Sequence, residues 1–472
     1  MLFNSFIFLL ILPLIFGVYW AIPAKYNQWR KLFLILVSYL LYINWKPAWA
    51  LVLLGVTIIT YWGGQILYLR YEEANERKRK RLVWLFAILG LLPLLIFKYY
   101  NFLNNSISDG LAAIGLQFSL PGLNWAVPVG ISFFSFQAVG YMLDVYHGRI
   151  QKENNFLDYV LFVSFFPQVA SGPISKASEL LPQIKAAKTF NYDQAVSGLR
   201  YLLWGMFLKV ALADRAGIYV DTVFAEYEKF SGAGCFIGSL LYSIQIYADF
   251  AGYSLMAVGL GKSLGFNLIN NFNRPYFSVS ITDFWRRWHI SLSRWLKDYV
   301  YIPLGGSRCS KLRNYWNIFV TFLVSGIWHG SNWTFIVWGL LHGVCQIIEK
   351  MYGWNKKEYK GIGKIARIVL TFLIVTITWT VFRSPSISVT FGYFARYMSK
   401  SGILIAEGGT LVYIIMALTP VVLYEVMTEF FPAVYSKLYG KQWLRWCAYL
   451  TVFTMMMLIG VFDGSSFIYV SF

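Results

Sequence analysis

The stretch WNIFVTFLVSGIWHGSNWTFIVWGLLHGVCQIIE, residues 316–349, is mostly apolar over 34 residues and is bounded by Arg313 and Lys350. A helix that crosses a bilayer needs about 20 apolar residues, so this stretch is too long for one simple span. The polar break WHGSNW, residues 328–333, lies at its middle. The pattern predicts two half-helices joined by a turn, with His329 near the turn and both outer ends on the cytoplasmic side.

The composition places the whole chain in the membrane class. Of its 472 residues, 58% are hydrophobic and 13% are charged, whereas soluble domains average about 45–50% and about 25%. These values exclude a disordered chain and a disulfide scaffold. The four cysteines are scattered and form no CxxC pair, so we expect no metal site. The sequence therefore predicts an all-α, polytopic integral membrane protein.

The charge balance is strongly positive, with 41 Lys and Arg against 22 Asp and Glu and a net charge of +19. In a membrane protein such an excess marks cytoplasmic loops and attracts anionic lipid. No stretch interleaves basic and aromatic residues outside an apolar context, so we expect no nucleic-acid partner. The run ERKRKR, within Arg70–Arg81, is the strongest cytoplasmic marker and places the N-terminus outside.

The apolar segments predict about ten to twelve transmembrane helices together with re-entrant pieces. Residues 156–174 have basic flanks and contain Pro167, Gly172 and Pro173, so they are expected to re-enter rather than cross. Residues 104–125 carry one acidic and no basic residue, as an external loop does. We expect one transmembrane domain over residues 1–472, with N-terminal helices in 1–125, a catalytic core in 126–349 and C-terminal helices in 350–472. The predicted segments are 1–25, 32–47, 48–69, 83–103, 126–147, 156–174, 196–214, 232–253, 316–349, 365–382, 411–430 and 446–464.

The stretch ITDFWRRWHISLSRWLKDYV, residues 281–300, has the spacing of an amphipathic helix. Its apolar stripe and its basic residues predict a helix that lies in the lipid interface. The basic side chains can bind the phosphates of an anionic donor or lipid headgroups, and the sequence leaves both readings open. The stripe is Phe284, Trp288, Leu292, Trp295 and Tyr299, and the basic residues are Arg286, Arg287, Arg294 and Lys297.

Four histidines carry most of the possible chemistry, because ionisable side chains within apolar segments are costly. His329 lies in a break that frees backbone groups, where a neutral imidazole can act as a general base or be satisfied by freed carbonyls. His289 lies between the apolar and basic faces of its predicted helix and either functions or contacts a headgroup. His342 is expected to pack or to support another residue, and His147 ends a span.

Other motifs give weaker signals. GKS at Gly261–Ser263 is not a phosphate-binding loop, because Met256 stands where that motif needs glycine. Asp249 lies in the apolar segment QIYADFAGYS, where it is either a proton-relay carboxylate or a structural partner of a nearby Arg, Tyr or Trp.

Two blocks closely resemble the membrane-bound O-acyltransferase family. They are QIYADFAGYSLMAVGLGKSLGFNLINNFNRPYFSVSITDFWRRWHISLSRWLKDYVYIPLGG, residues 245–306, and LVSGIWHGSNWTFIVWGLLHG, residues 323–343. VGISFFSFQAVGYMLDVYHG, residues 129–148, and FVSFFPQVASGPI, residues 162–174, are similar to the same family. The resemblance covers most of residues 125–345 and is nearest to the bacterial branch that contains the membrane subunit of alginate O-acetylation.

The resemblance implies an enzyme that moves an acetyl group from a cytoplasmic thioester, acetyl-CoA, towards an acceptor outside the bacterial cytoplasmic membrane. The acceptor is an exopolysaccharide such as alginate or a cell-wall glycan. The histidine of the family's WHG motif falls on His329, and its second functional position falls on His289. The family implies helices around a central tunnel, no bound cofactor, and a separate extracytoplasmic transferase of the SGNH type with a Ser-His-Asp site.

With the resemblance, Arg286, Arg287 and Lys297 become candidate contacts to the donor phosphates. Two other activities stay open: D-alanyl transfer to teichoic acid, and non-enzymatic transport of a glycolipid or acyl group. A transporter would use broken helices as its substrate site. Against it, the sequence shows no paired repeat.

Overall fold

The computed structural model describes residues 5–69 and 76–462, and this part of the chain is built from helices without strands. An isolated parallel bridge joins Phe230 and Ile403. The chain divides into two compact units. The first contains Ile7–Leu199 and Ala257–Ile269, and the second contains Arg200–Met256 and the residues from Asn270 onward.

The first unit contains the N-terminal helices and three short helices. Helices α4 and α5 run on through a π-helical turn at Leu95–Tyr99, so the predicted loop 104–125 begins only after Ala112. The predicted cytoplasmic segment Arg70–Arg81 falls partly outside the described residues. The helices are α1 (Phe6–Ala21), α2 (Asn27–Trp45), α3 (Pro47–Leu69), α4 (Glu76–Leu94), α5 (Tyr100–Ala112), α6 (Ile131–Tyr146), α7 (Phe156–Ser164), α8 (Phe166–Val169), α9 (Ala177–Lys185) and the first part of α10 (Tyr192–Met206).

The predicted re-entrant segment 156–174 is broken in the structure. Helix α7 has 9 residues and α8 has 4, which at 1.5 Å per residue gives about 14 Å and about 6 Å. Neither helix is long enough to cross a bilayer. The chain bends at Phe165, and the side chain of Asn155 caps the start of α7. The prediction of interrupted helices in this segment is therefore confirmed.

Two basic residues of α2, Arg30 and Lys31, are buried in the first unit. The ammonium group of Lys31 lies 2.6 Å from the carboxylate of Asp158. The guanidinium of Arg30 donates to the backbone carbonyls of Ile22 and Lys188. Both side chains are therefore internal structural groups. The hydrophobic pattern could not reveal the pairing of Lys31, because Asp158 lies far away in the sequence.

The second unit contains the longer helices and the predicted catalytic residues. Helix α10 continues through a π-helical turn, Phe207–Ala213, into α11, which contains Asp221. The remaining helices are α11 (Asp214–Ala225), α12 (Gly232–Ser263, whose end belongs to the first unit), α13 (Ile281–Arg287), α14 (Ile290–Leu296), α15 (Lys311–His329), α16 (Trp333–Met351), α17 (Gly361–Arg383), α18 (Ile387–Arg396), α19 (Gly408–Phe430), α20 (Pro432–Gly440) and α21 (Gln442–Ile459).

Within residues 5–69 and 76–462, five continuous helical stretches are long and apolar enough to cross a membrane, and the pair α1 and α2, bent by 102°, makes a sixth if it is one broken span. The all-α, polytopic membrane class is thereby confirmed. The five stretches are Pro47–Leu69, Glu76–Ala112, Tyr192–Ala225, Gly361–Arg383 and Gly408–Phe430.

Helices α15 and α16 form the hairpin that the broken apolar stretch predicts. An added Cβ at Gly326 would lie 2.5 Å from the carbonyl oxygen of Phe335, so the glycine allows the two backbones to approach closely. The side chain of Asn332 accepts from the backbone N–H of Thr334 and caps α16. Each helix has 19 residues, or about 28 Å of length. Each helix is therefore longer than the predicted half-helix, although neither is among the stretches that are apolar enough to cross a membrane.

The predicted interfacial helix 281–300 is not continuous. It is divided into α13 and α14, which are separated by two residues, and the second of these, His289, has φ 43° in the left-handed region. The stripe residues Trp288 and Leu292 are fully buried within the second unit, where they contact protein. The prediction of one helix on the lipid interface is therefore wrong, because tertiary contacts override the amphipathic pattern.

Candidate active site

His329 is the last residue of α15, where the hairpin turns. Its side chain is 1% exposed and contacts three aromatic rings. The centroid of its imidazole is 5.0 Å from that of Trp328, 4.9 Å from that of Trp338 and 5.4 Å from that of Phe382. The next residue, Gly330, is tightly enclosed, since an added Cβ would lie 2.1 Å from the ring of Phe335. The break therefore places a histidine in a close-packed aromatic environment.

His289 occupies the kink between α13 and α14. The segment around Asn271 holds this kink: the Asn271 carbonyl accepts from the N–H of Ile290 at 2.9 Å, and its side chain accepts from the N–H of Ser291 at 3.1 Å. A left-handed conformation is costly for a residue with a Cβ, so these bonds maintain a strained backbone. The His289 side chain is fully buried. Burial lowers its pKa to about 3, so the ring is neutral at physiological pH.

The fold brings the two predicted histidines together. The ring centroids of His289 and His329 lie 6.4 Å apart, and Trp328 contacts both rings. Phe250 of α12 also contacts His289, with a centroid distance of 4.6 Å. Two buried imidazoles at this separation can act on the two partners of one group-transfer reaction.

The indole of Trp338 adds a polar group that is not among the residues predicted from the sequence. Its side chain is fully buried beside His329. Among the described residues, its Nε1–H has no hydrogen-bond acceptor. A buried donor without an acceptor has lost its hydrogen bonds to water and has gained none within the protein. This costs free energy, so such groups are often functional. The helical position of Trp338, in the first turns after the WHG break, is the only sequence signal that marks it.

The three predicted phosphate contacts differ in their surroundings. Arg286 and Lys297 are exposed, whereas Arg287 is half-buried and paired with two carboxylates. Its guanidinium lies 3.2 Å from Asp283 and 3.0 Å from Glu429. Partial burial lowers the pKa of Arg287, but the two carboxylates outweigh burial and raise it overall. The charge of Arg287 is therefore already neutralised within the protein.

His342 supports neighbouring residues through hydrogen bonds, as its position in the sequence predicts. Its Nδ1 accepts from the indole N–H of Trp285 at 3.2 Å, and its Nε2 lies 3.0 Å from the hydroxyl of Thr378. Because an indole nitrogen only donates, Nδ1 carries no proton and the neutral ring is protonated at Nε2. The Thr378 hydroxyl then accepts from Nε2 and donates to the carbonyl of Val375. Both ring nitrogens are engaged, so His342 is not available as a base.

Asp249 belongs to a buried ion cluster. The ammonium group of Lys209 lies 2.6 Å from the carboxylate of Asp249 and 2.6 Å from that of Asp214. The Lys209 ammonium group also lies over the ring of Tyr253, 5.3 Å from its centroid. The sequence predicts an Arg, Tyr or Trp as a structural partner of Asp249, whereas the ion-pair partner in the structure is Lys209. A lysine within an apolar helix was the signal that could have identified the pair.

The remaining histidine lies at the surface. His147 follows α6, is exposed, and its Nδ1 contacts the carbonyl of Leu143. Within the described part of the chain, no group of three or more His, Cys, Asp or Glu residues is arranged to hold a metal ion.

The fold and the site define a class of protein. It is a polytopic membrane protein with two buried histidines, one at the turn of a helical hairpin and one at a neighbouring kink. The model of the family described as MBOAT, membrane-bound O-acyltransferase family, matches residues 123–360. The chain belongs to this family, and it is an O-acyltransferase. The matched region includes both histidines and the whole of the α15–α16 hairpin.

Relatives of three kinds are similar to most of the chain. "Probable alginate O-acetylase AlgI" of Pseudomonas syringae pv. tomato is 40% identical over 393 residues, which cover 82% of this chain and 73% of the relative. "Peptidoglycan O-acetyltransferase" of Helicobacter pylori is 34% identical over 418 residues, covering 82% and 78%. "Teichoic acid D-alanyltransferase" of Bacillus subtilis is 28% identical over 350 residues, covering 70% and 84%.

Proposed function

We propose that this chain transfers an acetyl group from acetyl-CoA, on the cytoplasmic side of a bacterial cytoplasmic membrane, towards a polysaccharide outside it. The separation of 6.4 Å between the rings of His289 and His329 carries the proposal, because it puts two buried imidazoles at one reaction centre. The acetyl group is favoured over D-alanine since the relatives named for O-acetylation share 34–40% identity with the chain, against 28% for the D-alanyltransferase.

In the proposed reaction, His329 is the general base. Its imidazole takes the proton of the acceptor hydroxyl, and the hydroxyl oxygen attacks the thioester carbonyl carbon. A carbon–oxygen bond forms, the carbon–sulfur bond breaks, and the CoA thiolate takes the proton from the imidazolium. Atoms and charge therefore balance without a cofactor. The buried indole N–H of Trp338 is a candidate donor to the developing oxyanion.

His289 and the exposed basic residues bind and orient the substrates in this proposal. A neutral His289 donates one hydrogen bond and accepts another, which suits contact with the thioester or the acceptor hydroxyl. Arg286 and Lys297 are exposed and are proposed to contact the phosphates of CoA. Arg287 is the weakest of the three predicted contacts, because Asp283 and Glu429 already pair with it.

The acceptor class is a glycan, either an exopolysaccharide such as alginate or a cell-wall polymer. We also propose that an extracytoplasmic transferase of the SGNH type receives the acetyl group from this chain and delivers it. The relatives named for alginate and peptidoglycan support the class of acceptor and leave the partner as an expectation.

The proposal is tested with the full chain reconstituted in proteoliposomes and supplied with radiolabelled acetyl-CoA. We expect CoA release and acetyl transfer in the wild type, and loss of both in His329→Ala. A D-alanyl thioester on a carrier protein is the comparison donor, and use of that donor alone would replace acetyl transfer by D-alanyl transfer. If no donor is cleaved while a glycolipid crosses the bilayer, the enzymatic proposal is wrong and transport takes its place.

A further inference from the structure

A carboxylate of α16 holds the start of α13. Glu349, in the last turn of α16, accepts from the backbone N–H of Ile281 at 2.7 Å through Oε1. Its Oε2 accepts from the backbone N–H of Thr282 at 3.0 Å and from the Thr282 hydroxyl at 3.1 Å. The first N–H groups of a helix have no acceptor within the helix, and Glu349 is 6% exposed. The contact therefore satisfies groups that burial would otherwise leave unbonded.

A second contact joins the same two helices near the middle of α13. His342 lies two turns before Glu349 on α16 and accepts from the indole of Trp285. Its other ring nitrogen is fixed by Thr378 of α17. Because the hydrogen bonds at both nitrogens define one tautomer and one ring orientation, His342 offers Trp285 a fixed acceptor. Helix α13 is thus bonded to α16 at two places.

These contacts bear on the distance between the two proposed functional histidines. Helix α13 ends at Arg287 and leads directly into the kink at His289. Helix α16 begins just after the turn that carries His329, and its Trp338 lies between His329 and His342, with centroid distances of 4.9 and 5.0 Å. Helix α16 therefore contacts both the helix that leads into the His289 kink and the ring of His329.

We propose that Glu349 and His342 are positioning residues, which set the separation of His289 and His329. The inference rests on the proposed function, in which both of those histidines act. Neither positioning residue needs to touch the substrates. A displacement of about 1 Å at a reaction centre costs about 100-fold in rate, so loss of either bond is expected to reduce turnover more than donor binding.

The test uses the full chain in proteoliposomes with radiolabelled acetyl-CoA, and it measures kcat and KM for the variants Glu349→Ala, Glu349→Gln and His342→Phe. Glu358 is exposed, so Glu358→Ala is the matched control. For Glu349→Ala and His342→Phe we expect kcat to fall about 10- to 100-fold, with KM for acetyl-CoA within about twofold of the wild type. Glu349→Gln keeps one acceptor oxygen and is expected to have an intermediate kcat.

Hydrogen exchange at the amides of Ile281 and Thr282 shows whether the anchor is lost in a folded protein. Faster exchange at these two amides with an unchanged pattern in α15 is the expected result for Glu349→Ala. If that variant does not fold, Glu349→Gln decides: a reduced kcat with unchanged KM supports the inference, and a wild-type kcat overturns it. A raised KM with unchanged kcat would also overturn it, because Glu349 would then act on donor binding.

The two proposals fail in different ways. If His289→Ala and His329→Ala keep wild-type activity, the proposed function is wrong, and the positioning role of Glu349 and His342 is wrong with it. If both of these variants are inactive while Glu349→Ala and His342→Phe turn over like the wild type, only the positioning role is wrong.

Discussion

The imidazole rings of His289 and His329 lie 6.4 Å apart, and the indole of Trp328 contacts both. One histidine lies at a strained kink, and the other ends the first helix of the α15–α16 hairpin. Both side chains are buried, so neither ring is hydrated at the protein surface. Burying a polar ring costs free energy, and such buried rings are found mainly where they have a function.

Substitution of either histidine is expected to remove transfer without unfolding the protein. His329→Ala deletes the proposed base, and we expect CoA release from acetyl-CoA to fall by at least about 100-fold, the lower part of the range for general-base catalysis. His289→Ala is expected to lower kcat and to raise KM, because this residue is proposed to contact a substrate. Initial rates over a range of acetyl-CoA concentrations measure both effects.

The matched control is His147→Ala. His147 is exposed, so its removal should leave kcat and KM unchanged. Undiminished CoA release in His329→Ala, with the control also active, would remove His329 from the mechanism.

Replacement of Trp338 by phenylalanine tests the proposed oxyanion donor. The substitution keeps an aromatic ring between His329 and His342 and deletes the buried N–H. Loss of one such donor costs about 100- to 1,000-fold in kcat in enzymes that use one, so we expect a fall of this order with little change in KM. Wild-type turnover in Trp338→Phe would show that the indole N–H contributes nothing to the reaction.

Substitutions of the three basic residues near the kink, Arg286, Arg287 and Lys297, are expected to have different effects on KM and on stability. Arg286→Ala and Lys297→Ala should raise KM for acetyl-CoA, and the effect should weaken at high salt because the two side chains are exposed. Arg287→Ala should mainly reduce stability, because it leaves Glu429 with one arginine partner, Arg274. Kinetics at low and high salt, together with thermal unfolding, distinguish the two classes. A salt-dependent rise in KM for Arg287→Ala alone would reverse this assignment.

Much of the architecture could be predicted from local sequence. The break WHGSNW predicts the turn between α15 and α16, because glycine and asparagine interrupt an apolar helix and cap the next one. The proline and glycine residues in 156–174 likewise predict interrupted helices. Such features are encoded within a few residues of where they act, so hydrophobic pattern and turn chemistry are sufficient to find them.

The missed features depend on residues that are distant in the sequence. The kink at His289 is maintained by bonds to Asn271, and the apolar stripe alone predicts a continuous helix there. The burial of Lys31 depends on Asp158. The resemblance to a known family supplied both histidines, but their separation and the anchoring role of Glu349 are tertiary facts that no periodicity contains.

The close approach of α15 and α16 makes two glycines intolerant of a side chain. An added Cβ would lie 2.5 Å from the Phe335 carbonyl oxygen at Gly326, and 2.4 Å from that of Phe322 at Gly339. We expect Gly326→Ala and Gly339→Ala to destabilise the protein by about 1–3 kcal/mol and to reduce turnover, since the hairpin must open. Gly363→Ala is the control, because its Cβ would meet nothing within 4 Å. Equal thermal unfolding temperatures for all three variants would contradict the close packing.

The buried ion cluster predicts a large loss of stability when its lysine is removed. Lys209 is 1% exposed and lies 2.6 Å from both Asp249 and Asp214. Lys209→Met leaves two buried carboxylates without their cation, and breaking a buried pair costs about 3–5 kcal/mol. The double variant Lys209→Met with Asp249→Asn should recover part of this loss, because one of the two carboxylates is then neutral.

An exposed ion pair provides the comparison for that effect. The pair of Lys229 and Glu226 is largely exposed, so Lys229→Met is expected to cost less than about 1 kcal/mol. Denaturant unfolding of the purified protein in detergent measures all three variants. Similar stabilities for Lys209→Met and Lys229→Met would mean that water reaches the cluster around Lys209. In that case Asp249 would not be held by a buried ion pair, and a single lysine would not determine the stability of this part of the second unit.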